Sequence, residues 1–197
     1  MTMRSLLAGA AIALAASITA MSANATEYLT NRGFDSGNTS GWLLTGNTSF
    51  FGANCNGAAQ AGSCYVEAGP IGSDGILSQT FSDTAGEMLN ISGWMAGNGA
   101  GFSHVQFFFN SDLIFDSGNP LSNSGWVNQT ATAVATGSDT FSVHFRDDPS
   151  YVHLDSFSVS SAVAGVPEPA SWALMLTGFL GLGGALRSAR RRIAVVA

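Results

Sequence analysis

The stretch Phe141-Ser142-Val143-His144-Phe145-Arg146 carries an apolar side chain at every odd position and a polar one at every even position. Successive side chains on an extended backbone point to opposite sides, so this period of two predicts a strand with one buried face. Leu89, Ile91 and Met95 alternate in the same way, as do Val105, Phe107 and Phe109. Further strands are expected over 76–81, 126–135 and 152–159. In the last, Leu154 and Phe157 fall on opposite parities, which calls for a β-bulge near Asp155. Turn residues separate these runs, among them Asp35-Ser36-Gly37-Asn38, Gly69-Pro70, Gly97-Asn98-Gly99 and Asp147-Asp148-Pro149. Eight or more strands in about 135 residues predict an all-β, antiparallel β-sandwich over 26–162.

The two ends have a different composition. Residues 1–25 combine Arg4, an apolar run over 6–18 and the small-residue site Ala23-Asn24-Ala25, the pattern of a secretory signal peptide. At the other end, the linker 163–169 leads into an apolar stretch over 170–186 and a basic tail over 187–197, with Arg187, Arg190, Arg191 and Arg192. Seventeen helical residues span about 25 Å, slightly short of a hydrocarbon core of about 30 Å. The arginines stop transfer and stay on the cytoplasmic side, so 170–186 is expected to be a transmembrane helix. A plain single-pass anchor is the alternative on the same residues.

Charge follows the same division. The 197 residues include no lysine and have a net charge of −6. Between 26 and 166 stand twelve acids and only Arg32 and Arg146, a net −10, whereas 167–197 carries +3. This excludes a basic nucleic-acid binder, a coiled coil and a charge-rich disordered tail. It favours neutral glycans or cations over acidic polymers as partners of the middle region.

Val166-Pro167-Glu168-Pro169, the run Gly178-Phe179-Leu180-Gly181-Leu182-Gly183-Gly184 and the terminal arginines together resemble a PEP-CTERM sorting signal. That resemblance implies recognition of Pro167, Glu168 and Pro169 by an exosortase. It further implies an inner-membrane intermediate and delivery to the surface or matrix of a Gram-negative bacterium that makes exopolysaccharide and biofilm. The apolar tail 193–197 is longer than the usual ending. A second resemblance, spanning nearly all of 27–160, is to galactose-binding-like jelly rolls, the fold of many carbohydrate-binding modules. It rests on Asn31-Arg32-Gly33-Phe34-Asp35, Gly41-Trp42, Ile76 through Phe81, Gly125-Trp126 and Leu154 through Val159. It implies a jelly-roll topology, and a structural Ca²⁺ mapped by motif onto Asp35 and Asp155. The alternative is that Asp35 makes an Asx turn and Asp155 pairs with backbone amides.

Cys55 and Cys64 are the two cysteines, and in an oxidising compartment they are expected to form a disulfide; free thiols or a metal pair are the alternatives. Closing a loop of that length contributes about 2.5–3 kcal/mol in the chain-entropy model. His144 and His153 lie on strands joined by a short turn and are expected to be solvated strand positions. No Gly-x-Ser-x-Gly elbow or His-Glu-x-x-His is present, and Gly97-Asn98-Gly99-Ala100-Gly101 fails the dinucleotide pattern at its last position. The expectation is a non-enzyme.

A ligand face is drawn from the parity of two strands. If Leu89, Ile91, Val105, Phe107 and Phe109 point inward, Asn90, Ser92, Trp94, His104, Gln106 and Phe108 point outward. A hairpin across 97–101 would set Trp94 opposite His104 and Asn90 opposite Phe108. Aromatic faces among amides and hydroxyls suit sugars, which present apolar ring faces and many hydroxyls. The alternatives are that other segments cover Trp94 and Phe108, or that the parity is reversed. The functional expectation is an exported, non-catalytic surface protein binding carbohydrate or exopolysaccharide. A structural envelope protein with no ligand is the second reading and a polysaccharide hydrolase the third.

Overall fold

The computed structural model describes residues 24–97, 101–121, 125–162, 175–184 and 187. Residues 1–23 of the expected signal peptide, the Pro167-Glu168-Pro169 motif and Arg190, Arg191 and Arg192 lie outside them. The chain forms two units, of which Asn24–Val163 is one. In the other, residues 175–184 and Arg187 are helical. Among the described residues no helix is long and apolar enough to cross a membrane.

The unit Asn24–Val163 is an antiparallel sandwich of ten strands: β1 Leu43–Gly46, β2 Phe51–Asn54, β3 Tyr65–Ala68, β4 Gly75–Ser82, β5 Met88–Ala96, β6 Phe102–Phe109, β7 Asp112–Asp116, β8 Val127–Val134, β9 Ser138–Asp148 and β10 Val152–Ser161. One sheet runs β1-β4-β9-β6-β7 and the other β2-β3-β10-β5-β8. Of the consecutive strands only β2–β3 and β6–β7 pair as hairpins. Every other connection crosses from one sheet to the other, the jelly-roll arrangement. All ten strands, the disulfide and the whole core lie inside this unit, so it contains the contacts its folding needs.

The alternating residues behave as their period demands. Phe141, Val143 and Phe145 of β9 are fully buried, as are Val105 and Phe107 of β6 and Leu89 of β5. The expected bulge is present: the register of β10 against β5 slips between Asp155 and Ser158, with Ser156 in the left-handed region at φ 50°. The slip turns Phe157 into the core with Leu154 despite their opposite parity. There its ring contacts Phe34, Trp42, Phe107 and Phe141, at centroid distances between 5.6 and 6.1 Å.

Those contacts tie the N-terminal landmark to both sheets. The Phe157 amide donates to Arg32 O at 3.0 Å. Trp42 Nε1 donates to Asn31 O at 3.1 Å. Gln79, buried on β4, accepts from the Thr30 amide at 2.7 Å and donates back to Thr30 O at 3.1 Å, standing in for a neighbouring strand. Room for the Phe157 ring comes from Gly93, where an added Cβ would lie 2.4 Å from Phe157 Cδ1 and 2.9 Å from Phe107 Cζ. Gly93 therefore fills the inward position that breaks the Leu89, Ile91, Met95 series. Overpacking a closed core by one methyl costs about 1–3 kcal/mol. Gly93→Ala is expected to lower Tm by roughly 5–8 °C in thermal unfolding, at a few degrees per kcal/mol for a unit of this size. An unchanged Tm would show that the ring has slack there.

Candidate functional site

The sandwich has two outer faces, and they differ in how far the polar groups on their central strands are paired. On β1-β4-β9-β6-β7 the groups are largely paired with each other. Gln106 donates to Asp116 at 2.8 Å, Arg146 donates to Asp148, and the Thr80 and Thr140 hydroxyls meet at 2.8 Å. His104 Nε2 lies 3.1 Å from Asp74 Oδ2. Phe108 packs on His144 with ring centroids 4.3 Å apart, and the Arg146 guanidinium covers the Phe102 ring at 4.3 Å. The Gly118 amide and the Gln106 side chain hold the Asp116 carboxyl below its ordinary range, while burial pushes the His144 imidazole down.

On β2-β3-β10-β5-β8 the outward groups form rows across three strands. The register aligns Ser160, Asn90 and Thr132 in one row, Ser158, Ser92 and Thr130 in the next, and Asp155, Trp94 and Asn128 in a third. The first two rows and Asn128 line a shallow trough of about 590 Å³. Ser158 Oγ donates to Glu27 at 2.5 Å. Among the described residues, the side chains of Asn90, Ser92, Asn128, Thr130, Thr132 and Ser160 make no hydrogen bond. Among the described residues no charged side chain lines the trough.

Trp94 stands at the end of these rows. Trp42 is buried with its Nε1 bonded to Asn31 O, and Trp126 donates its Nε1 to Ala58 O at 3.1 Å while packing on Tyr65 and His153. Trp94 is partly exposed and, among the described residues, touches no other ring and makes no hydrogen bond through Nε1. Among the described tryptophans it alone leaves its indole N–H without a partner among the described residues.

The Cys55–Cys64 disulfide forms, with Cα atoms 4.1 Å apart, and its loop is tied to Asp155 on β10 and to Trp126 just before β8. Asp155, fully buried, accepts the Gln60 and Ala61 amides at 2.9 and 3.2 Å and the Ser156 amide at 2.6 Å. Burial pushes the Asp155 carboxyl up, and these amides oppose it. Asp35 accepts from the Ser63 and Cys64 amides at 2.5 and 3.3 Å. Three of the four carboxylate oxygens of the pair thus receive N–H donors. Calcium requires about six to eight oxygen ligands with free lone pairs. Among the described residues no group of three or more His, Cys, Asp or Glu is arranged to hold a metal. As arranged, these two carboxylates tether the disulfide loop.

The expected ligand face is split by the topology. β5 pairs with β10 and β8, and β6 with β9 and β7, so there is no hairpin across 97–101. Trp94 lies on one outer face and His104, Gln106 and Phe108 lie on the other. Their outward parity is as expected, because it depends only on which residues face the core they share. His144 and His153 are separated for the same reason, β9 and β10 belonging to different sheets. Asn128, Thr130, Thr132, Ser158 and Ser160 join Trp94 instead. Their signal in the sequence is the outward parity of 126–135, and of 152–159 once the bulge shifts its phase.

No protein-family model and no curated protein matches the sequence. Solved structures match the fold. The carbohydrate-binding module TmCBM61, in complex with β-1,4-galactotriose, aligns at TM-score 0.58 and 18% identity over 68% of this chain and 97% of its own. The CBM22-1 xylan-binding domain of Paenibacillus barcinonensis Xyn10C aligns at 0.51 and 16%, over 75% and 100%. A cyclase from Fischerella sp. TAU aligns at 0.54 and 16%, over 73% and 100%. With the carboxylates engaged by amides, stripping divalent cations with a chelator is expected to leave the thermal midpoint of the sandwich where it was. A drop of several degrees, reversed by Ca²⁺, would contradict this geometry.

Proposed function

We propose that the mature chain is an exported, non-catalytic protein that binds a neutral polysaccharide in the trough on β10, β5 and β8, with Trp94 stacking on a sugar ring. The observation that carries this reading is the set of six amide and hydroxyl side chains that make no hydrogen bond among the described residues, in a sheet whose next row holds the partly exposed Trp94. Sugar hydroxyls both donate and accept, which matches the mixed capacity of Asn, Ser and Thr. Among the described residues the lining carries no charge, which favours a neutral chain over an acidic one. Structural neighbours solved with galactotriose, or named for xylan, support a carbohydrate as the ligand class.

The ends supply the route. The signal peptide over 1–25 exports the chain, the helix over 170–186 holds it in the inner membrane, and an exosortase acts at Pro167-Glu168-Pro169. The product is a surface or matrix protein of an exopolysaccharide-producing Gram-negative bacterium. The helical state of 175–184, with Phe179 and Leu180 exposed, is consistent with that anchor.

Two measurements test the two halves. On a glycan array and by calorimetry with neutral galactans and xylans, Trp94→Ala is expected to weaken binding at least about tenfold, or 1.4 kcal/mol. Phe108→Ala, on the opposite face, is expected to leave binding unchanged. Equal binding by wild type and a folded Trp94→Ala would remove the site. In cells, Glu168→Ala is expected to leave the chain in the inner membrane with its helix attached. Normal processing of that variant would defeat the sorting route.

A further inference from the structure

The sheet that carries the trough ends laterally on β8, and the edge of β8 lacks the devices that usually blunt an exposed strand. The other edges have them. β1 and β2 are four residues each. β7 is five residues with an aspartate at each end, and its register against β6 slips. β8 runs eight residues against β5 without a slip, and Val-Asn-Gln-Thr-Ala-Thr-Ala-Val contains neither charge nor proline.

The direction of its backbone groups follows from the ladder. Ala135 receives a hydrogen bond from the Gly86 amide and donates one to Glu87 O, so it faces the β5 side. Alternation along an antiparallel pair then turns the N–H and C=O groups of Asn128, Thr130, Thr132 and Val134 toward the free edge. Among the described residues nothing else takes up those groups. Charge along the strand itself is also absent. The region 26–166 carries −10, yet no residue from 117 to 138 is charged, the neighbouring carboxylate being Asp116 of β7, which shares a cavity with Val127 and Gln129 and is held by Gln106.

We propose that β8 is a homodimer edge, pairing antiparallel with β8 of a second copy about a two-fold axis perpendicular to the sheet. An antiparallel strand pair meets the self-complementarity that an isologous interface requires. The product is a continuous ten-stranded sheet with both troughs on one side. Side-by-side troughs become a bivalent glycan surface on the reading above, whereas the dimer itself does not depend on that reading.

Sedimentation of the unit Asn24–Val163 at about 50 μM, well above a micromolar Kd, is expected to give a dimer. Thr130→Pro removes a free-edge N–H without removing a bond to β5, and is expected to give a monomer. Thr130→Asp places two carboxylates near the axis. It is expected to be monomeric at low salt and to regain the dimer in about 1 M NaCl, where the Debye length is about 3 Å. Both variants are judged on samples whose thermal midpoint stays near wild type, and Thr130→Asp decides alone if the proline variant does not fold. A wild-type monomer, or a dimer that survives a folded Thr130→Asp at low salt, overturns the proposal. A dimer that both variants disrupt but that binds no glycan supports the edge and removes the trough as a site.

Discussion

The packing of one ring, Phe157, between the two sheets sets the arrangement of everything around it. The ring enters the core because β10 slips by a residue after Asp155, and it fits because Gly93 on the neighbouring strand has no Cβ. The same slip changes the phase of β10. Before it, His153 faces out; after it, Ser158 and Ser160 do, which sets them in register with Ser92 and Asn90. At the slip itself Asp155 is left with a carboxylate turned toward the disulfide loop, where it collects two loop amides. A single irregularity therefore packs the core, tethers the loop and aligns the polar rows. That economy explains why a bulge persists in a strand that would pair better without one.

Which residues face the core was legible in the sequence, and which strands lie side by side was not. A period of two reports burial, and burial is common to two facing sheets. β5 and β6 both present their odd residues inward, as do the partners of any hairpin; here they do so from opposite walls. The pattern of a hairpin and the pattern of a crossover are identical at that level. The short strands β1, β2, β3 and β7, at four or five residues, contain too few alternations to register. The tryptophans pose a similar limit. Trp42, Trp94 and Trp126 each follow a glycine or stand one residue from one, and composition alone gives no reason to separate them. Separation comes from the fate of each indole N–H, which is a tertiary fact.

The acidic balance also looks different once placed. Asp35 and Asp155 bind loop amides, and Asp139 accepts from Thr136 and Asn110. Asp116 and Asp148 are held by Gln106 and Arg146, and Glu67 by Asn54. Most of the acids between 26 and 166 are thus structural acceptors at loops and strand ends, in a region with only Arg32 and Arg146 to share that work. The trough is left neutral within a domain of −10. Net charge is accordingly a poor guide to the chemistry of this face, although it still governs how copies approach each other.

Fold likeness leaves the activity open, since matched structures at 16–18% identity include two carbohydrate-binding modules and a cyclase. The decision falls to the surface chemistry. Amides and hydroxyls with no internal partner are hydrated in the free protein, and exchanging that water for sugar hydroxyls gains only about 0.5–1.5 kcal/mol per bond. On the proposed carbohydrate reading, one indole and six such groups on an open trough would give weak binding at each site. A repetitive polymer changes the balance, because a second trough held at a fixed distance meets the same chain at a high effective concentration. A shallow neutral face is thus suited to long, repeating ligands and ill suited to short ones, and pairing through β8 would extend it in the one direction where the sheet has no boundary of its own.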